Sequence, residues 1–426
     1  MFYTAYELGY AAVAPARIAA GIGARFWRSP FNPIADSWLA RTSAAALDVF
    51  ENVTRRYPKP EWEISETVVN GKPVPVTVET AVKKDFATLL HFRRDEAALK
   101  EAGGGGDPSM LIVAPMSGHH ATLLRGTVEA MLPAHDVYIT DWTDARLVPL
   151  SAGRFDLNDY IDYLIEFLRA LGPRAHAMAV CQPGPALLAA TAVMAEDDDP
   201  ARPATITLMG SPIDTRRSPT TPNVLAQSRP FEWFERNMIH TVPAPYPGVL
   251  RRVYPGFVQL YSFLSMNSDR HLNAHYDYFQ HLVDGDGDSA DKHRKFYDEY
   301  LSVLDMTEEF YLQTIGEVFQ KHSLPEGKLM HRGRLVNPSA ITDVALLTVE
   351  GEKDDISGIG QTQAAHDLCV NLPDALKEDY VQPGVGHYGV FNGSRWRSEI
   401  QPRVQSFARR NDVRSGRRRL QLVSSS

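Results

Sequence analysis

The stretch Ala175-His176-Ala177-Met178-Ala179-Val180-Cys181-Gln182-Pro183-Gly184-Pro185-Ala186-Leu187-Leu188-Ala189-Ala190 joins a largely apolar run to a helix-forming one through a turn centred on Cys181. Strand, sharp turn, helix is the pattern of a nucleophile elbow, here with cysteine where serine is usual. Such a turn presents one side chain to the site, and the following helix aims its N-terminal N–H groups and the positive end of its dipole at it. A thiol so placed shifts toward thiolate, the form that attacks carbonyl carbon. A buried strand-end cysteine would be the plainer reading, so partners elsewhere in the chain decide the matter.

The first partner follows the apolar run Val344 to Val349, which opens into Gly351-Glu352-Lys353-Asp354-Asp355-Ile356. An α/β-hydrolase carries its triad acid just past such a strand, and Asp354, three residues after Gly351, has that spacing; Asp355 is the neighbour able to usurp the role. The second partner is His387 in Gly384-Val385-Gly386-His387-Tyr388-Gly389, after the expected strand Asp379 to Gln382. Glycines on both sides let this loop fold tightly enough to bring the imidazole over the nucleophile. The order cysteine, aspartate, histidine is that of α/β-hydrolases and of neither chymotrypsin nor subtilisin. His387 is expected to take the Cys181 proton and Asp354 to hold its tautomer. Acyl transfer also needs donors for an oxyanion. One expected donor is the Gln182 N–H; the other is Met116 or Ser117, after the strand Met110 to Ala114, because Pro115 has no N–H.

Length and composition fit this reading. A chain of 426 residues accommodates one α/β core with a large insertion, and 44% apolar content excludes wholesale disorder. The net charge of −8 argues against general nucleic-acid binding. Two cysteines make no disulfide framework, and a reactive thiol needs a reducing cytoplasm; Cys369 reads as a helix-core residue. No stretch of 18 apolar residues predicts a membrane span, and the N-terminus lacks a secretory pattern. No metal-ligand cluster and no cofactor motif stands out. His119 and His120 are adjacent without a third ligand, and the glycines 103–106 lack the lysine of a phosphate loop. Asp284-Gly285-Asp286-Gly287-Asp288 resembles the start of a calcium loop, but Ser289 and Lys295 occupy the places needing glycine and glutamate, so a solvated acidic loop is expected.

Along the chain, residues 1–60 are helical in pattern, with Phe26, Trp27, Trp38, Leu39, Leu47 and Phe50 on apolar stripes. A stripe of this kind is normally buried, so a layer packed on the core is expected over a surface for lipid or polymer. Residues 61–215 hold alternating strands from Trp62 to Phe92 and then apolar runs separated by helices. Leu157, Ile161, Leu164, Ile165, Leu168 and Leu171 mark one such helix, closed by Gly172. This rhythm predicts a mostly parallel, doubly wound sheet. It breaks over 216–338, an aromatic-rich, helical-patterned stretch placed where α/β-hydrolases insert a lid; most of its aromatics should form its own core and a few line an apolar groove. The core resumes over 339–412, and 413–426 is a basic tail expected to be frayed.

Taken together, Ala114-Pro115-Met116-Ser117-Gly118-His119, Val180-Cys181-Gln182-Pro183, Gly351-Glu352-Lys353-Asp354-Asp355-Ile356 and Gly384-Val385-Gly386-His387-Tyr388-Gly389 make the chain resemble the intracellular poly(3-hydroxybutyrate), or polyhydroxyalkanoate, depolymerases over nearly its whole length. The elbow departs from Gly-x-Ser-x-Gly at Ala179 and Pro183, which bears on turn geometry. The resemblance implies that Cys181, Asp354 and His387 open the esters of amorphous storage polyester through a thioester, releasing 3-hydroxybutyrate oligomers and monomer at cytoplasmic granules. Two other classes compete. A polyester synthase uses the same triad but usually has glycines flanking its cysteine, and a granule-coating protein needs no triad. Oligomeric state, side-chain length preference and the acyl acceptor (water, CoA or a polymer hydroxyl) stay open.

Overall fold

The computed structural model describes residues 2–266, 277–284, 294 and 297–412, without the side chains of 263–266. The calcium-like run lies outside the described residues past Asp284, as does the basic tail 413–426.

Nine strands form the main sheet: β1 Glu66–Val69, β2 Lys72–Lys83, β3 Ala87–Arg94, β4 Ser109–Val113, β5 Asp136–Trp142, β6 His176–Val180, β7 Thr205–Met209, β8 Ala345–Gly351 and β9 Lys377–Gln382. Their spatial order is β1-β2-β3-β5-β4-β6-β7-β8-β9. The first three strands and the β3–β5 edge are antiparallel, and every pairing from β5 through β9 is parallel. With β6 central, the nucleophile turn leaving its carboxyl end and crossovers on either side, this is the α/β-hydrolase fold. Helices cover both faces of the central strands, so all five residues of β6, all five of β7 and all seven of β8 are buried.

The predicted helix between β5 and β6, α3 (Leu157–Leu171), is fixed at its start by a capping box of Asp156 and Asp159 and stops at Gly172, whose φ of +84° is open to glycine at little cost. The helix that follows the elbow, α4 (Gly184–Glu196), is buried on every side from Gly184 to Met194. A helix apolar all round belongs in a core, and this one stands behind Cys181.

Between β7 and β8 the described residues include the helices Thr221–Ser228, Phe231–Met238, Gly256–Met266 and Glu308–Gln313, together with a three-stranded antiparallel sheet of His240–Thr241, Arg252–Tyr254 and Met306–Thr307. The sequence pattern gave only helix here, because strands of two or three residues are too short to show a period.

The N-terminal segment requires a correction. It forms the two expected helices, α1 (Phe2–Trp27) and α2 (Trp38–Thr54), but they bury chiefly small side chains: Ala20 and Ala24 in α1, Ala40, Ala44 and Ala45 in α2. Alanine lets the two backbones approach closely; of the larger stripe residues, Leu47 packs over Gly23 and Trp27 is half-buried. Phe26, Trp38, Leu39 and Phe50 are exposed, not packed on the core. Among the described residues the hairpin is anchored at its root. Tyr3 donates to Asp305 Oδ2 at 2.7 Å, and Tyr3 and Tyr6 pack on the Phe257 ring. Asp305 also accepts the Gly256 N–H at 2.8 Å, tying α1 to the helix Gly256–Met266.

Candidate active site

Cys181 follows β6 with φ +67°, a left-handed conformation uncommon for a residue with a Cβ. The strand end is held by its neighbour, Cys181 N–H donating to the Met209 carbonyl at 2.8 Å, and the turn closes with Gly184 N–H on the Cys181 carbonyl at 3.2 Å. The elbow therefore forms despite Ala179 and Pro183 at the flanks. Its glycine requirement lies one place further on: a Cβ on Gly184 would stand 2.3 Å from Ser211 Cβ and Oγ.

Asp354 sits in the turn after β8. Its Oδ1 accepts the Ile356 and Ser357 N–H groups at 2.9 and 2.8 Å, which leaves Oδ2 for His387 Nδ1 at 2.8 Å. Both side chains are shut off from solvent. Asp355 is exposed on the turn, so of the two adjacent acids it is Asp354 that meets the histidine. With Nδ1 on Asp354, Nε2 is the nitrogen left for Cys181, which lines the same cavity. Burial pulls the imidazole pKa down, yet the charges on Cys181 and Asp354 and the hydrogen bonds to both outweigh it, holding the value well above the ordinary histidine range.

The acid and histidine turns are clasped together. Lys353 N–H donates to the Val385 carbonyl at 2.8 Å, Glu352 N–H to the Gln382 carbonyl at 3.0 Å, and Gly384 N–H to the Glu352 carboxylate at 2.7 Å. Behind the pair stands Gly210, the first residue after β7, with φ +54°. A Cβ there would come within 3.1 Å of His387 Cε1 and 3.3 Å of Asp354 Oδ2. The sequence reading missed this residue. Its signal was a lone glycine at the end of a buried strand.

Of the expected oxyanion donors, the Gln182 N–H meets no acceptor among the described residues. The Met116 N–H is occupied: it donates to the Gln182 side-chain Oε1 at 3.2 Å. A substrate oxygen must displace that carboxamide to use both donors, a feature that backbone-only reasoning overlooked. Ser117 lines the same cavity. The loop that carries these donors is fastened from above, Leu304 N–H donating to the Gly118 carbonyl at 2.7 Å. His119 and His120 are buried and held neutral, their pKa values pulled down to about 4 and about 3 mainly by desolvation. No group of three metal-ligating side chains occurs among the described residues.

Cys181 and His387 open into a cavity of about 580 Å³, roofed by residues between β7 and β8 that include Leu225, Trp233, Phe234, Tyr254, Phe310, Tyr311 and Phe319. Apart from Leu225 these are the aromatics among the described residues of that stretch that line the cavity; Tyr278, Tyr297 and Tyr300 are buried without lining it. The volume lies within the range of small-ligand pockets, and the lining suits an uncharged, weakly polar chain. No helix among the described residues is long and apolar enough to cross a membrane.

Residues 210–412 match the family described as PHB de-polymerase C-terminus. No curated protein matches the sequence. Among solved structures, the monoacylglycerol lipase of Paleococcus ferrophilus is similar at 11% identity and a TM-score of 0.43, covering 72% of this chain and 97% of its own. A thermophilic esterase of Thermogutta terrifontis is similar at 13% identity and a TM-score of 0.38, covering 82% and 97%. The ester chemistry rests on the site and on the family match, not on these distant likenesses.

Proposed function

From a carboxylic ester hydrolase whose residues 210–412 belong to the PHB de-polymerase C-terminus family, we infer a depolymerase of amorphous poly(3-hydroxybutyrate) that works through a cysteine thioester. The observation that carries the reading is Cys181 at a positive φ beside the Asp354–His387 pair, at the foot of an apolar cavity. The thiolate of Cys181 adds to an ester carbonyl, and the oxyanion is received by the Gln182 N–H with the Met116 or Ser117 N–H. Collapse expels the alkoxide end of the polymer, which takes its proton from the His387 imidazolium. His387, now neutral, draws a proton from water, and the hydroxide equivalent releases the acyl group from Cys181 as a carboxylic acid. Asp354 keeps the imidazole in the required tautomer throughout.

In this reading residues 61–215 and 339–412 are the catalytic core, 216–338 the lid over the cavity, 1–60 a helical segment and 413–426 a basic tail. The setting is the surface of cytoplasmic storage granules, and the products are 3-hydroxybutyrate oligomers and monomer. The test is purified protein on amorphous polyhydroxybutyrate granules, with and without CoA. Release of free 3-hydroxybutyrate without CoA is expected. Products only as CoA thioesters, or none, would refute hydrolysis.

A further inference from the structure

The hairpin α1–α2 does not line the cavity, yet among the described residues it carries a run of exposed large apolar side chains. At its free end Ile18, Ile22, Phe26, Phe31, Trp38 and Leu39 are 63, 61, 62, 94, 72 and 55% exposed. Single exposed apolar residues need no explanation, but a cluster within 22 residues marks an interaction surface. Exposed Arg25 and Arg41 stand among them, and residues 1–60 hold seven basic and four acidic side chains in a chain of net charge −8.

We propose that the tip of this hairpin inserts into the surface of the amorphous polyester phase, and the proposal rests on the polyester reading of the site. Three observations favour that occupant. Side chains that protrude this far insert into a soft phase without complementary pockets, whereas a rigid protein partner needs a matching surface. Ester hydrolysis leaves carboxylate chain ends on the polymer surface, to which Arg25, and Arg41 beside Asp36 at 3.9 Å, are complementary while the acidic remainder of the chain is not. The root of the hairpin is also continuous with the site. Tyr3 holds Asp305, the residue after Leu304, and Leu304 donates to Gly118 in the loop that carries Met116 and Ser117. Insertion therefore sets the catalytic body directly on its substrate phase.

The experiment compares the full chain with a variant carrying Ile22→Ser, Phe26→Ser, Phe31→Ser and Trp38→Ser. These positions are exposed, so the fold is expected to survive, as checked by circular dichroism. Cosedimentation with amorphous polyhydroxybutyrate granules should fall about tenfold or more, and granule hydrolysis with it, while hydrolysis of a soluble 3-hydroxybutyrate oligomer stays within about twofold. Unchanged cosedimentation overturns the proposal. Binding of the parent chain to phosphatidylglycerol vesicles but not to granules overturns it in favour of lipid. A dimer-to-monomer change in sedimentation velocity with granule binding intact overturns it in favour of a second copy. A parent chain that cosediments with granules but hydrolyses no polyester supports the docking surface and refutes the substrate reading instead.

Discussion

Replacing Asp354 by Asn changes one oxygen for an NH2 group, and the geometry around that carboxylate dictates the result. Oδ1 holds two backbone donors, Ile356 and Ser357, so the single oxygen of an asparagine stays with them. The NH2 group then faces His387 Nδ1, where the carboxylate oxygen lies at 2.8 Å. A donor in that place forces Nδ1 to be the acceptor and moves the ring proton to Nε2, the atom that must take the proton of Cys181. The imidazolium also loses one of the two charges that hold its pKa up. Loss of tautomer control in a serine triad lowers turnover about 10³- to 10⁴-fold, or about 4 to 5.5 kcal/mol of barrier, and the same loss is expected here. Asp355→Asn, on the exposed side of the turn, should stay within about threefold. The assay is initial rate of 3-hydroxybutyrate release from amorphous granules, with circular dichroism to confirm that the turn survives. Equal losses at the two positions, or the larger loss at Asp355, would refute the assignment of the acid.

Other outcomes follow from the same geometry. Cys181→Ala should fold and release no hydroxybutyrate, and iodoacetamide should label Cys181 in preference to Cys369, which is fully buried with its thiol pKa pushed up to about 12 by desolvation; activity in the alanine variant would remove the thioester. Gly210→Ala should cost about 1–2 kcal/mol in stability from its left-handed backbone, measured by urea unfolding, but on the order of 10- to 100-fold in rate, because the new Cβ presses on His387 and Asp354. The raised pKa of His387 predicts an imidazolium that persists through neutral pH, with its stabilising contribution complete below the unfolded-state value and lost as pH rises through the folded one. The alkaline limb of the pH–rate profile should accordingly lie above the ordinary histidine range and move down in Asp354→Asn; an unmoved limb would assign it to another group. Amorphous granules should be hydrolysed far faster than crystalline film, since a chain must leave its lattice to enter a roofed cavity, and comparable rates would contradict the lid reading.

The sheet was legible because its strands are buried on both faces and read as apolar runs, and because capping signals such as Asp156 and Gly172 fall where the helices change. The residues that the structure brings together at the cavity were legible through spacing and order: Cys181 between strand and helix, Asp354 three residues past Gly351, His387 among glycines. What escaped were features set by tertiary approach. Gly210 matters for what stands in front of it, and Gln182 for where its carboxamide folds back, neither of which has a local pattern. The hairpin misled for a related reason. An apolar stripe states that a helix has a side averse to water, not what that side meets, and here alanine faces alanine while the aromatics point away.

The clasp between the turns after β8 and β9 separates two jobs that a polymer-cleaving enzyme must reconcile. Asp354 and His387 are braced by backbone bonds from adjacent parallel strands, and none of those bonds involves the stretch between β7 and β8 that roofs the cavity. The acid–base unit is thus braced chiefly from the sheet, with Thr220 Oγ1 on the Ile356 carbonyl at 2.8 Å as one further tie to the stretch above. The donor loop is different, since it hangs from the roof through Leu304 and Gly118. Proton transfer is braced from the sheet, while the grip on the oxyanion is tied to the roof.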